Sequence, residues 1–166
     1  MNVKALWNLS YGVYIVSTLD KDRPCGCTAN SAVQITDTPA TVAVSINHGN
    51  YTNGCIKDCG LFAVNILAED SPPVLIGGFG FRSGRDTDKF DGVESEIAAG
   101  VPVLKAGCGY IVCRVLSTLE TPTHTVFLGE VLDAGARPGT PMTYAYYHNV
   151  IKGKTAKNAP TYSAAK

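Results

Sequence analysis

Two polar stretches of this chain carry the residue types needed to hold a flat, charged ligand. Cys27-Thr28-Ala29-Asn30-Ser31 places small hydroxyl and amide side chains between two apolar, strand-like segments. Small side chains let a planar ligand approach the backbone. An amide and hydroxyls there can match the carbonyl and ring-nitrogen atoms along a heteroaromatic edge. Phe81-Arg82-Ser83-Gly84-Arg85-Asp86-Thr87-Asp88-Lys89-Phe90 gathers the guanidinium groups of Arg82 and Arg85, the Lys89 ammonium and the Ser83 hydroxyl in a glycine-containing loop. Phosphates and carboxylates are bound by such donors. Each stretch also has a plainer reading. Thr28, Asn30 and Ser31 can satisfy backbone groups at a bulge or strand end, and the loop cations can pair in solvent with Asp86 and Asp88.

Two further features could add chemistry. His48, Tyr51 and Thr52 fall in the loop and first turn of a predicted helix, whose N-terminal N–H groups suit an anion; ordinary capping by Thr52 is the alternative. His124 opens a strand and could be a structural histidine or a polar contact at a ligand edge. No G-x4-G-K-[ST] occurs, and Gly77-Gly78-Phe79-Gly80 does not follow the strand that a dinucleotide fingerprint needs. No Ser/His/Asp, Cys/His or paired-carboxylate set stands out for hydrolysis. That pattern fits chemistry carried by a cofactor.

The elements that must position these residues are mostly β. Residues 11–18 are rich in β-branched and aromatic side chains, and 19–24 read as a turn. Residues 25–35 read as one or two strands bent near Asn30-Ser31, and 41–46 as another. A helix is predicted over 51–59, with Thr52 as N-cap and Gly60 as its stop. Residues 61–67 alternate as a strand, and Pro72 to Phe79 suggest a short helix opened by proline. The stretch 80–100 reads as a long loop, a feature that is often functional. Strands return at 108–119 and 124–132, followed by Met142-Thr143-Tyr144-Ala145-Tyr146. With no βαβ alternation, a mostly antiparallel barrel with small helices is expected. The chain divides into a domain over 1–151 and a polar, loosely held tail over 152–166.

Bulk properties narrow the class. A chain of 166 residues is one domain by length. Its 14 basic and 14 acidic residues leave no net charge to draw it to nucleic acid or anionic lipid. No segment approaches the roughly 20 apolar residues of a spanning helix. The apolar start, residues 6–19, is broken by Asn8, Ser10 and Gly12 and reads as structure, not a signal peptide. A cytoplasmic location is expected. Six cysteines at 25, 27, 55, 59, 108 and 113 lack a C-x2-C knuckle, so no metal site is expected and packing as small hydrophobes is the ordinary role. A Cys55–Cys59 pair on one helix face remains a metal or redox alternative.

In their order along the chain, these motifs resemble the flavin reductase-like family of FMN-binding split β-barrels. The resemblance rests on Val16-Ser17-Thr18, the Gly26–Ser31 run, Tyr51-Thr52, Gly60-Leu61-Phe62-Ala63-Val64-Asn65, Ser83-Gly84-Arg85, Asp88-Lys89-Phe90 and Gly100-Val101-Pro102-Val103-Leu104. His124 leading into Leu128-Gly129-Glu130-Val131 completes it, with Pro122-Thr123 where the family motif has Gly-Asp. The tail Lys152-Gly153-Lys154-Thr155-Ala156-Lys157-Asn158-Ala159-Pro160-Thr161-Tyr162 is similar to the end of the flavin domain in high-molecular-weight rubredoxins.

The resemblance implies a six-stranded Greek-key split barrel with a few short helices, a homodimer, and FMN as a noncovalent cofactor. By that likeness Thr28, Ala29, Asn30 and Ser31 line the isoalloxazine and ribityl side, and Ser45, Asn47 and Thr52 the ribityl–phosphate end. Arg82, Ser83, Arg85 and Lys89 neutralise the phosphate, and His124 is the catalytic candidate at the nicotinamide or flavin edge. The implied activity is an NAD(P)H oxidoreductase, with NADH or NADPH as co-substrate. Electrons would pass on to free flavin or to a protein acceptor such as a rubredoxin or flavodiiron protein. A non-enzymatic FMN electron carrier and a flavin-free ligand-sensing barrel are the alternatives.

Overall fold

A computed structural model describes residues 2–162. After a 3-10 turn at Val3–Asn8, nine strands and three short helices follow. The strands are β1 (Tyr14–Asp20), β2 (Arg23–Ala29), β3 (Ala32–Asp37), β4 (Ala40–Asn47), β5 (Leu61–Ile66), β6 (Ser95–Ala98), β7 (Val101–Leu104), β8 (Gly109–Glu120) and β9 (His124–Ala136). The helices are α1 (Tyr51–Cys59), α2 (Pro73–Phe81) and α3 (Tyr144–Asn149).

Seven strands form one antiparallel sheet in the order β2-β1-β5-β8-β9-β4-β3, and β6 pairs β7 as a separate hairpin. The mostly-β, few-helix expectation holds, with seven strands in the main sheet where six were expected. The difference arises at Asn30-Ser31. Residues 25–35 split there into β2 and β3, which lie at opposite edges of the sheet although only two residues separate them. The sheet must therefore curl until its edges meet at this corner, where the Ser45 N–H donates to the Ser31 carbonyl at 3.1 Å. Edge placement also explains why Pro24, read as part of a turn, sits inside β2: a proline without an N–H is tolerated on an edge strand.

β1 shows how the sequence sorts into two cores. Its consecutive residues alternate faces: Val16 joins Val44, Ile56, Phe62, Val64 and Phe127 inside the curl, and Ile15 joins Leu67, Leu75, Ile76, Phe79 and Met142 beneath α2 and α3. Burial on both faces fits a strand read from its β-branched and aromatic residues and not from alternation, and it takes Ser17 and Thr18 inside as well. At Gly129 a Cβ would lie 2.6 Å from Cys113 Cβ and 2.8 Å from the Phe62 ring, so β8, β9 and β5 approach too closely there for any side chain. Buried Asn65 ties the hairpin to the sheet. Its Nδ2 donates to the Ile15 carbonyl and Ser17 Oγ, both at 2.9 Å, and its Oδ1 accepts the Leu104 N–H at 2.7 Å.

Helix α1 forms over the expected residues and stops at Gly60, left-handed at φ 73°, whose N–H reaches the Ile56 carbonyl. Its N-cap is Asn50, while Thr52 is the second helical residue and is buried. Of residues 142–146, read with the strands, Thr143 makes a single bridge to Gly12 and Tyr144–Tyr146 open α3, because Thr143 Oγ1 accepts the Tyr146 N–H and caps the helix start. The stretch read as a loop over 80–100 contains the end of α2 and all of β6.

Candidate functional site

The corner at Asn30, the end of α2, the start of α1 and the tail meet around one cleft with two halves. The apolar half, a narrow recess of about 390 Å³ with its open mouth included, is lined by Thr28, Ala29 and Asn30 with Ile76, Phe81, Tyr144 and Tyr147. The polar half, about 670 Å³ with its open mouth, is lined by Asn50, Tyr51 and Thr52 with Arg82, Ser83 and Lys89. Gly80 and Phe81 border both, so the halves adjoin.

Each half has a built chemical preference. Asn30 is 5% exposed; its Nδ2 donates to Thr161 Oγ1 at 3.1 Å, while its Oδ1 is buried without a partner. An orphaned buried acceptor is costly and calls for a donor from a ligand. Thr28 Oγ1 donates to the Ile76 carbonyl at 3.1 Å and so holds β2 against α2. In the polar half three cations, Arg82, Lys89 and Lys157, line the wall with no carboxylate among the lining residues. The first turn of α1 opens onto the same space, and Asn50 makes no side-chain cap bond to it. Unscreened positive charge beside a helix N-terminus favours a phosphate.

Lys89 also has a local task. Its Nζ donates to the carbonyls of Gly26 and Phe79, both at 2.9 Å, and Phe79 and Phe90 meet edge-to-face at 5.1 Å. The lysine thereby fastens the returning loop to β2 and α2, and its partial burial lowers its pKa. The loop turns on Ser83, whose Oγ accepts the Arg85 N–H at 3.2 Å and whose carbonyl accepts the Thr87 N–H at 3.2 Å.

The structure brings Thr28, Ala29, Asn30, Thr52, Arg82, Ser83 and Lys89 to the cleft walls. It sets the other candidates apart. Arg85 stacks over the Tyr51 ring, 5.4 Å from its centroid, outside the lining. Ser31 and Ser45 bond each other across the corner, Ser31 Oγ donating to the Ser45 carbonyl at 2.9 Å. Asn47 Oδ1 accepts the Gly49 N–H at 2.8 Å and so shapes the turn before α1. His124 faces Asn47 across the β4–β9 ladder, also outside the lining. Its Nδ1 shares a 2.8 Å hydrogen bond with Thr123 Oγ1, and its enclosed Nε2 makes no hydrogen bond of good geometry. Burial pushes the ring pKa down and nearby His48 adds to this, while the Asn158 backbone opposes it, so the imidazole is neutral near pH 7.

Local pattern gave no sign of the part played by the tail. Residues 154–159 run along both halves of the cleft. Tyr147 OH donates to the Lys154 carbonyl at 3.1 Å, Thr155 and Tyr144 share a hydroxyl bond at 2.9 Å, and Thr161 Oγ1 donates to Tyr144 OH at 2.9 Å. Asn158 Nδ2 reaches Asn50 Oδ1 at 2.8 Å. Met1 and residues 163–166 lie outside the described residues.

The cysteines are all free thiols. Burial raises Cys27 to about 11 and Cys55 and Cys113 to about 12, so they are poor nucleophiles. Among the described residues no three metal-ligating side chains cluster.

The flavin reductase-like domain family matches residues 6–154. The chain belongs to this family. Among its relatives, the high-molecular-weight rubredoxin of Moorella thermoacetica is 43% identical over the whole of this chain and 74% of its own length. The ferric-chelate reductase (NAD(P)H) of Archaeoglobus fulgidus is 39% identical, with each chain covered in full. Among solved structures, the flavin reductase PheA2 superposes with a TM-score of 0.73 at 29% identity, over 86% of this chain and 93% of the other.

Proposed function

We propose that this protein is an FMN-dependent NAD(P)H oxidoreductase. The observation that carries the reading is the divided cleft: an apolar recess with the orphaned Asn30 Oδ1, adjoining a cationic, acid-free chamber at a helix start. A flavin mononucleotide pairs a flat heteroaromatic ring with a phosphate monoester, so the residues present fit the group. Family membership and relatives named flavin reductase (NADH) and ferric-chelate reductase (NAD(P)H) support the same chemistry.

When bound, FMN supplies a hydride acceptor for the nicotinamide and a store of electrons for a second acceptor. The chain's own residues bind and orient. Asn30 and Thr28 hold the ring edge, and Tyr144, Tyr147 and Phe81 exclude water from it. Arg82, Ser83 and the first turn of α1 hold the phosphate. His124, neutral and beside the tail, acts as a positioning residue. The acceptor is a small diffusible oxidant or a redox protein; the rubredoxin-named relative supports the second choice.

The protein acts as a homodimer in this reading. Val33 and Ile35 on β3, Leu116 and Leu119 on β8, and Leu132 on β9 all stand exposed in the single chain. Light scattering should return twice the chain mass. No described helix is long and apolar enough to cross a membrane, and six free thiols fit a reducing, cytoplasmic setting.

Steady-state consumption of NADH and NADPH by FMN-loaded protein, with a ferric chelate or excess FMN as acceptor, tests the activity. Turnover supports an oxidoreductase. Flavin binding without turnover would make the protein an electron carrier.

A further inference from the structure

The tail delivers one cation to the polar half of the cleft. Lys157 lines that chamber together with Arg82, Ser83 and the start of α1. Its backbone is held from both sides: Thr155 by Tyr144, Asn158 by Asn50 and Thr161 by Asn30. Between these anchors the Ala159 N–H closes a turn on the Ala156 carbonyl at 3.0 Å. The stem of Lys157 thus starts from a fixed place.

Charge counting shows why a second free cation matters. A phosphate monoester carries between about −1.5 and −2 charges near neutral pH. Of the three cations lining the chamber, Lys89 already donates to two carbonyls. Its charge remains, but most of its N–H donors are spent, so direct bonds to such a dianion fall to Arg82 and Lys157. Conversely, three cations and no acid on one wall repel each other until an anion sits among them.

We propose that Lys157 is a phosphate-recognising residue, so that the tail forms part of the binding site and selects FMN over unphosphorylated flavin. This rests on the flavin reading above. The tail then acts as a strap, and the flavin is a resident group whose release requires the strap to lift.

Equilibrium titrations of wild type, Lys157→Gln and Lys157→Arg with FMN and with riboflavin test it. Lys157 is exposed, so glutamine leaves the packing intact. Lys157→Gln is expected to weaken FMN about tenfold, or about 1.4 kcal/mol, and to leave riboflavin within about twofold. Lys157→Arg should recover most of the FMN affinity, since a guanidinium also binds phosphate. Unchanged FMN affinity in Lys157→Gln, or an equal loss for riboflavin, overturns the inference while the flavin reading stands. A wild-type protein that binds neither flavin overturns both.

Discussion

Asn158 Nδ2 donates to Asn50 Oδ1 at 2.8 Å, a bond spanning 108 positions of sequence. It joins the tail to the N-cap of α1, the helix whose first turn opens on the polar chamber. Two parts of the site that are far apart in sequence are therefore set by one contact. Asn158→Ala is expected to cost about 0.5–1.5 kcal/mol of stability, as for a typical net hydrogen bond. Flavin release should quicken several-fold in stopped-flow dilution, because the strap lifts more easily.

The two arginines of the loop should separate cleanly. Arg82 lines the chamber, whereas the exposed Arg85 lies over the half-buried Tyr51 ring. Arg82→Ala is expected to weaken FMN by about 1.5–3 kcal/mol, the range for a hydrogen bond to a charged group. Arg85→Ala should cost under about 1 kcal/mol, as for an exposed cation–π contact. Flavin fluorescence titrations of both variants measure the difference, and comparable losses would place the phosphate nearer Arg85.

His124 predicts a direction of acid sensitivity. Burial holds its folded pKa below the ordinary 6.5, so the unfolded chain binds the extra proton first. Stability from this group is full above about pH 6.5 and declines as pH falls through the depressed folded value. The neighbouring His48, which lies 3.0 Å from Glu120, adds to the lowering of His124. Chemical denaturation between pH 7.5 and 5 should show a shallower decline for His124→Gln than for wild type. If His124 only positions the tail, the variant should alter flavin affinity and leave the pH profile of kcat unmoved.

Local signals carried much of the fold. Runs of β-branched and aromatic residues gave most of the strands, and the Gly60 stop gave the end of α1, because both depend on residues close in sequence. The Thr28–Asn30 and Arg82–Ser83 stretches were legible for the same reason: their polar side chains interrupt apolar elements. What stayed hidden depends on distant partners. β6 exists because Ser95–Ala98 pairs with β7, and Arg137 holds that hairpin by donating to the Leu104 carbonyl and to Glu96. The aromatic run at 144–147 looks like a strand until the Thr143 cap and the packing of Tyr147 make it a helix. The tail is polar throughout, and its place over the cleft is set by Asn30, Asn50 and Tyr144, each more than ten residues away.

The most direct test of the central claim is the visible spectrum of FMN-loaded protein, taken without oxygen before and after NADH and then NADPH. The account predicts that the flavin absorption band is lost with one of the two nicotinamides and returns when an electron acceptor is added. A bound flavin whose band persists with both would contradict it.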